Sequence, residues 1–200
     1  MNLRIAEINY KSYVDGPGHR SVLFMQGCQH ACAGCQSAHT HDPEQGMVRD
    51  VEILANEFLG FAKVAQETDN PLLTISGGEP FNQLSGLKYL LWLLKSNAHV
   101  IVYTGYTFEE LLQINHELKK DTILHIFDMI NVLVDGRYDY NQDSQSIQYR
   151  GSSNQRVIDL PASRAGVLKL LDWDQPELTI VNGRIIGWGW VKQNRLEGVD

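Results

Sequence analysis

Between Arg20 and Gly136 the chain repeats one pattern: an apolar run of β composition stops at a glycine, and a stretch with helical spacing follows. Residues 20–25 run into Gly27, and residues 72–76 stop at Gly77-Gly78. Residues 99–104 end at Gly105, and residues 131–135 end at Gly136. Between these runs, Val51, Leu54, Ala55, Phe58, Ala62 and Ala65 predict one helix with Asp50 as its N-cap, and Leu84, Leu87, Leu90, Leu91 and Leu94 a second. Thr107 and Glu110 have capping-box spacing and open a third helix through Leu118, and a short one covers residues 122–129.

Strands alternating with helices predict right-handed βαβ units and a parallel sheet, and near-continuous apolar strands fit a sheet whose faces are covered. An eight-unit barrel takes about 250 residues, and this chain has 200. The expectation is therefore an open, partial β/α barrel, with a doubly wound open sheet as the alternative. In either fold, function sits at the carboxyl ends of the strands. Those ends carry Gly27-Cys28, Ser76-Gly77-Gly78-Glu79, Thr104-Gly105 and Asp135-Gly136, so the unusual residues converge on one rim.

All three cysteines of the chain fall in Gly27-Cys28-Gln29-His30-Ala31-Cys32-Ala33-Gly34-Cys35. An odd, tightly clustered set makes a poor disulfide framework and points to metal chemistry. Three thiolates around a four-iron cluster leave one iron open to an outside ligand. The competing reading is a zinc-binding interaction module whose site is completed by His30, His39 or His41. In Ser76-Gly77-Gly78-Glu79-Pro80 the glycines admit a ligand to the backbone, and Glu79 either accepts from a ligand ammonium or holds the loop.

The balance of 17 Lys and Arg against 24 Asp and Glu, a net −7, lacks the basic face that nucleic acid or an anionic membrane demands. No stretch reaches the roughly 18–20 apolar residues of a membrane span, and the N-terminus lacks a signal-peptide pattern, so a cytoplasmic protein is expected. Residues 1–163 are expected to form the main domain and 164–200 a C-terminal extension. Asn182-Gly183 between apolar runs predicts a β-hairpin over residues 176–192 that covers a sheet edge.

CxxxCxxC followed by GGEP after the next strand resembles the radical S-adenosylmethionine superfamily. Asp15-Gly16-Pro17-Gly18-His19-Arg20, leading into Gly27-Cys28, resembles the glycyl-radical activating enzymes within it. Residues 103–111, 132–138 and 150–156 are similar to the activating proteins of anaerobic ribonucleoside-triphosphate reductase.

The resemblance implies a radical-S-adenosylmethionine type of open β/α barrel, with Cys28, Cys32 and Cys35 as ligands of a 4Fe-4S cluster and S-adenosylmethionine chelated at the open iron. Reductive cleavage would yield a 5′-deoxyadenosyl radical that takes hydrogen from a glycine of the reductase, with a flavodoxin- or ferredoxin-type protein donating the electron. By the same resemblance, Gly77, Gly78 and Glu79 receive the methionine ammonium. Gly34, Cys35 and Gln36 border the adenosyl portion, and Thr104 and Asp135 line the pocket. Gly34 stands where many superfamily members carry an aromatic residue. The chemistry needs no acid, base or nucleophile from the protein, so no histidine is nominated. Arg137, Arg150 and Arg156 either dock the partner or form a solvated polar face. Activators of pyruvate formate-lyase type enzymes and 7-carboxy-7-deazaguanine synthases share the cysteine motif and remain the neighbouring alternatives.

Overall fold

The computed structural model describes residues 1–66, 71–94, 98–143, 147–163, 167–174, 179–181 and 184–187. The strands are β1 (Asn2–Ser12), β2 (Arg20–Met25), β3 (Met47–Asp50), β4 (Leu72–Gly77), β5 (His99–Thr104), β6 (Val132–Asp135), β7 (Arg156–Asp159), β8 (Lys169–Leu170), β9 (Thr179–Val181) and β10 (Arg184–Gly187). The helices are α1 (Val51–Phe61), α2 (Leu84–Leu94), α3 (Phe108–Glu117) and α4 (Thr122–Phe127). The first eight strands form one sheet in the order β3-β1-β2-β4-β5-β6-β7-β8, and β9 and β10 form a separate pair.

The central pairs β2–β4, β4–β5 and β5–β6 are parallel. β1 and β3 on one side, and β7 and β8 on the other, are antiparallel additions. Because the parallel strands adjoin in chain order, right-handed crossovers place every helix on the same face. Packing agrees with that winding. Alternate residues Leu23, Met25, Leu73, Ile75, Val100, Val102 and Leu133 join Leu54, Phe58, Leu87, Leu90, Leu91 and Ile126 in one core. The other face presents Ile101, Val132, Val134 and Val157 to a smaller cluster with Trp173. Single winding of an open sheet makes a partial barrel and excludes the doubly wound alternative.

The sequence patterns that place the helices act locally. The Asp50 carboxylate accepts from the amides of Glu52 and Ile53 at the head of α1. Thr107 and Glu110 form the reciprocal capping box of α3. The flanking strands were not foreseen, because β1 buries only alternate residues and β3 is short and mostly exposed, so neither makes a continuous apolar run. The expected C-terminal hairpin is present as the antiparallel pair β9 and β10; Asn182-Gly183, Trp188 and Trp190 lie outside the described residues. Among the described residues this pair is separate from the large sheet, whose edge beside β7 is taken by β8. Among the described residues no helix is long and apolar enough to cross a membrane.

Candidate metal and cofactor site

β2 delivers the chain to Gly27, whose φ of +95° turns it out of the sheet. The following loop is moored to the segment beyond it. Gly27 N donates to Thr40 O at 2.8 Å, and Cys28 N to His41 O at 3.0 Å. Cys35 N reaches back to Cys32 O at 3.2 Å. The three cysteines are unbridged and partly exposed. Burial pushes the Cys28 and Cys35 thiols up. A bound metal's charge would act in the opposite direction and favour the thiolate.

The second loop packs under the first. A Cβ on Gly77 would lie 2.8 Å from Met25 N and O, and one on Gly78 would lie 2.5 Å from Gly27 O. Gly78 N donates to Met25 O and Glu79 N to Gly27 O, both at 2.8 Å. The absent Cβ atoms thus permit the close approach of two backbones.

Glu79, 1% exposed, is the hub of the rim. Its Oε1 accepts from Phe81 N at 3.0 Å and Thr104 Oγ1 at 2.9 Å. Its Oε2 accepts from Gly105 N at 2.8 Å and His30 Nε2 at 3.0 Å. Against a carboxylate, His30 Nε2 must carry the proton, and four donors fill the lone pairs of Glu79. These bonds make Glu79 hold the loop, while it also lines the cavity that the two loops enclose. His30 joins the cysteine loop to the ends of β4 and β5, and its ring stands edge-on to Tyr106 at 4.5 Å. Burial, with Glu79 next, pushes the Tyr106 hydroxyl up.

These loops enclose a cavity of about 260 Å3. Of the residues singled out by the sequence, Cys28, Cys32, Cys35, Gln36, Gly77, Gly78, Glu79 and Thr104 line it. Two do not. Gly34 (φ +71°) lies beneath Tyr140, whose Cδ2 would sit 3.0 Å from a Cβ there. Asp135 is buried with its carboxylate engaged: Oδ2 accepts from Phe108 N at 2.7 Å, and Arg156 Nε donates to Oδ1 at 2.9 Å. That arrangement caps α3, and the hydrogen bonds to Asp135 raise the Arg156 guanidinium above its ordinary range. The neighbouring Gly136 faces the cavity instead.

Sequence reading passed over Phe24, Tyr103, Tyr138 and Tyr149 in the lining, and offered His30 only as a zinc ligand. The inward side of a strand is legible only once the sheet's curvature is known. Arg137, Arg150 and Arg156 are all paired within the chain: Arg137 with Glu110, Arg156 with Asp135 and Glu109, and Arg150 with Asp174.

The donor set fits a cluster better than a single ion. Among the described residues no three His, Cys, Asp or Glu side chains converge tightly enough to hold one metal ion, yet all three cysteines line one cavity. Around one zinc, thiolates crowd to about 3.8 Å from one another, whereas a cubane separates its cysteines across several irons. Of the three histidines offered for a zinc site, His30 is engaged with Glu79, His39 lies exposed 3.9 Å from Glu7, and His41 lines the cavity.

Comparison with known proteins agrees. A family described as a 4Fe-4S single cluster domain matches residues 14–158. The chain is 32% identical over 162 residues to the anaerobic ribonucleoside-triphosphate reductase-activating protein of Pasteurella multocida, covering 75% of this chain and 96% of that one. It is 30% identical to the protein of the same name from Escherichia coli K12, covering 75% and 97%. With that of phage T4 it shares 29% over 150 residues, covering 72% and 86%.

Proposed function

Because the chain belongs to the family of anaerobic ribonucleoside-triphosphate reductase-activating proteins, we propose that it is the enzyme that installs a glycyl radical in such a reductase. The observation that carries this reading is the opening of Cys28, Cys32, Cys35 and the Ser76–Glu79 turn onto one cavity, with His30 committed elsewhere. Cys28, Cys32 and Cys35 would hold a 4Fe-4S cluster, and S-adenosylmethionine would occupy the rest of the cavity. When bound, the cluster supplies the electron that splits the carbon–sulfur bond of S-adenosylmethionine, and the adenosyl fragment takes a hydrogen atom from a glycine of the reductase.

The chain's own residues orient and shield. Gly77 and Gly78 offer backbone groups to the cofactor's amino end, while Gln36 and Thr104 border the remainder. Tyr103, Tyr138 and Tyr149 wall the cavity and limit water. No side chain is asked for a proton, since hydrogen-atom transfer depends on proximity and alignment. The open flank of the sheet lets a polypeptide loop approach, as a closed barrel would not. A flavodoxin- or ferredoxin-type protein would deliver the electron, and the reaction belongs in the cytoplasm.

The test is anaerobic reconstitution with iron and sulfide, followed by S-adenosylmethionine, a reductant and a reductase of this class. A broad absorption near 400 nm and a glycyl-radical signal in electron paramagnetic resonance are expected, and both should vanish in Cys32→Ala. A colourless zinc protein would refute the proposal. A radical formed only on a pyruvate formate-lyase type enzyme would reassign the partner.

A further inference from the structure

One wall of the cavity is held from outside the family match. Tyr149, Arg150, Gly151 and Gln155 line that wall, and the segment behind them lies past residue 158, where the match ends. Leu171 N donates to Val157 O at 2.8 Å, docking this segment beside β7. Trp173, 8% exposed, packs edge-on against Tyr149 with ring centres 5.6 Å apart. Asp174 then grips both neighbours of Tyr149. Its Oδ1 accepts from Gln148 N at 2.9 Å, and its Oδ2 pairs with Arg150 Nη2.

Tyr149 is held at φ +56°, left-handed backbone that a tyrosine rarely adopts. Such a conformation is strained and persists where the surroundings over-determine it. The clamp on residues 148 and 150 is such a surrounding. Arg150 is the one arginine or lysine among the described lining residues. Its Nη1 donates to Gln155 O at 3.0 Å, and its Nε is buried with no hydrogen-bond partner among the described residues.

We propose that Asp174 is a positioning residue of the cofactor site, acting through Arg150 and Tyr149 to set the wall against which the nucleoside sulfonium ligand packs. This rests on the reading of the cavity as the S-adenosylmethionine site. It assigns to the chain beyond residue 158 a part in that site which the shared family segment does not supply.

The experiment uses the cluster-loaded full chain and the redox-inert probe S-adenosylhomocysteine. Asp174→Asn should leave the absorption near 400 nm intact and weaken probe binding about 3–10-fold, the range of one lost polar contact. In an Arg150→Gln background the same substitution should add nothing further. A separate measurement needs no ligand: phenylglyoxal labelling of Arg150, read by peptide mass, should be several-fold faster in Asp174→Asn than in the parent chain.

Unchanged or tighter probe binding by Asp174→Asn overturns the proposal, as does an additive effect in the Arg150→Gln background or an unchanged labelling rate. If the parent chain binds no probe while labelling responds as stated, the clamp stands and the assignment of the cavity fails. Should Asp174→Asn lose its cluster, Asp174→Glu, which keeps the anion, serves for the same two measurements. Labelling and binding close to the parent chain's support a charge clamp, and values as altered as those of Asp174→Ala refute it.

Discussion

At the scale of single residues, Glu79 shows how a motif residue can hold a site together through its own hydrogen bonds. Its buried carboxylate satisfies donors from the cysteine loop, its own loop and the end of β5. Glu79→Gln replaces one acceptor with an NH2 that faces donors. The loss is expected to be about 1–3 kcal/mol in denaturant titration of the metal-free protein, with reduced cluster yield on reconstitution. His30→Ala should produce a smaller loss of the same kind, since the other three donors to Glu79 remain. Equal stability of both variants and the parent would show that the rim is not held this way. The spelling Gly77-Gly78-Glu79 made the loop conspicuous. That its carboxylate turns inward depended on His30, nearly fifty positions earlier in the chain, and no local pattern announces such a partner.

At the scale of elements, helix starts were the most legible features, because capping is settled within one turn. Asp50 and Thr107 each place a side-chain oxygen on the amides just ahead of them. Asp50→Ala and Thr107→Ala should each cost about 1 kcal/mol, measurable as a lowered midpoint of thermal unfolding. The two sites are independent, so the double variant should show the sum; a markedly larger loss would mean that α1 and α3 are coupled. The parallel strands were equally plain, since each carries its own apolar run. β1, β3 and β8 were not, for they exist by pairing with neighbours that hold the core. Asp135 belongs here too. At a strand end it resembled a pocket residue, but it caps α3 and pairs with Arg156 across the β6–β7 ladder.

At the scale of the whole molecule, the parallel strands are sutured at the end opposite the cysteines by Arg20, which is fully buried. Its guanidinium donates to Thr74 Oγ1 at 2.8 Å, Pro17 O at 3.1 Å, Leu73 O at 2.7 Å and His99 O at 3.0 Å, joining β2, β4 and β5. Burial lowers its pKa to about 9. His99 lies alongside, and burial together with this cation lowers its pKa to about 3. An unfolded histidine titrates near 6.5, so between about pH 3 and 6.5 the unfolded chain binds a proton that the folded chain refuses. The contribution of His99 is therefore complete above about pH 6.5 and is lost as the pH falls toward 3, by up to about 1.4 kcal/mol per pH unit. His99→Gln should flatten that limb in denaturant titrations from pH 7 to 4, whereas an unchanged slope would place the acid sensitivity elsewhere.

The sequence by itself determined which segments become helices and parallel strands, and that three cysteines and a Gly-Gly-Glu turn share one rim. Periodicity, capping and glycine punctuation act over a few residues and are written in order along the chain. Only the tertiary structure decided which of those rim residues face the cavity, which charges are already paired within the chain, and that Asp174 stands behind the site. Those outcomes depend on the curvature of the sheet and on contacts between residues far apart in sequence, where one side chain's partner is chosen by the packing of all the others.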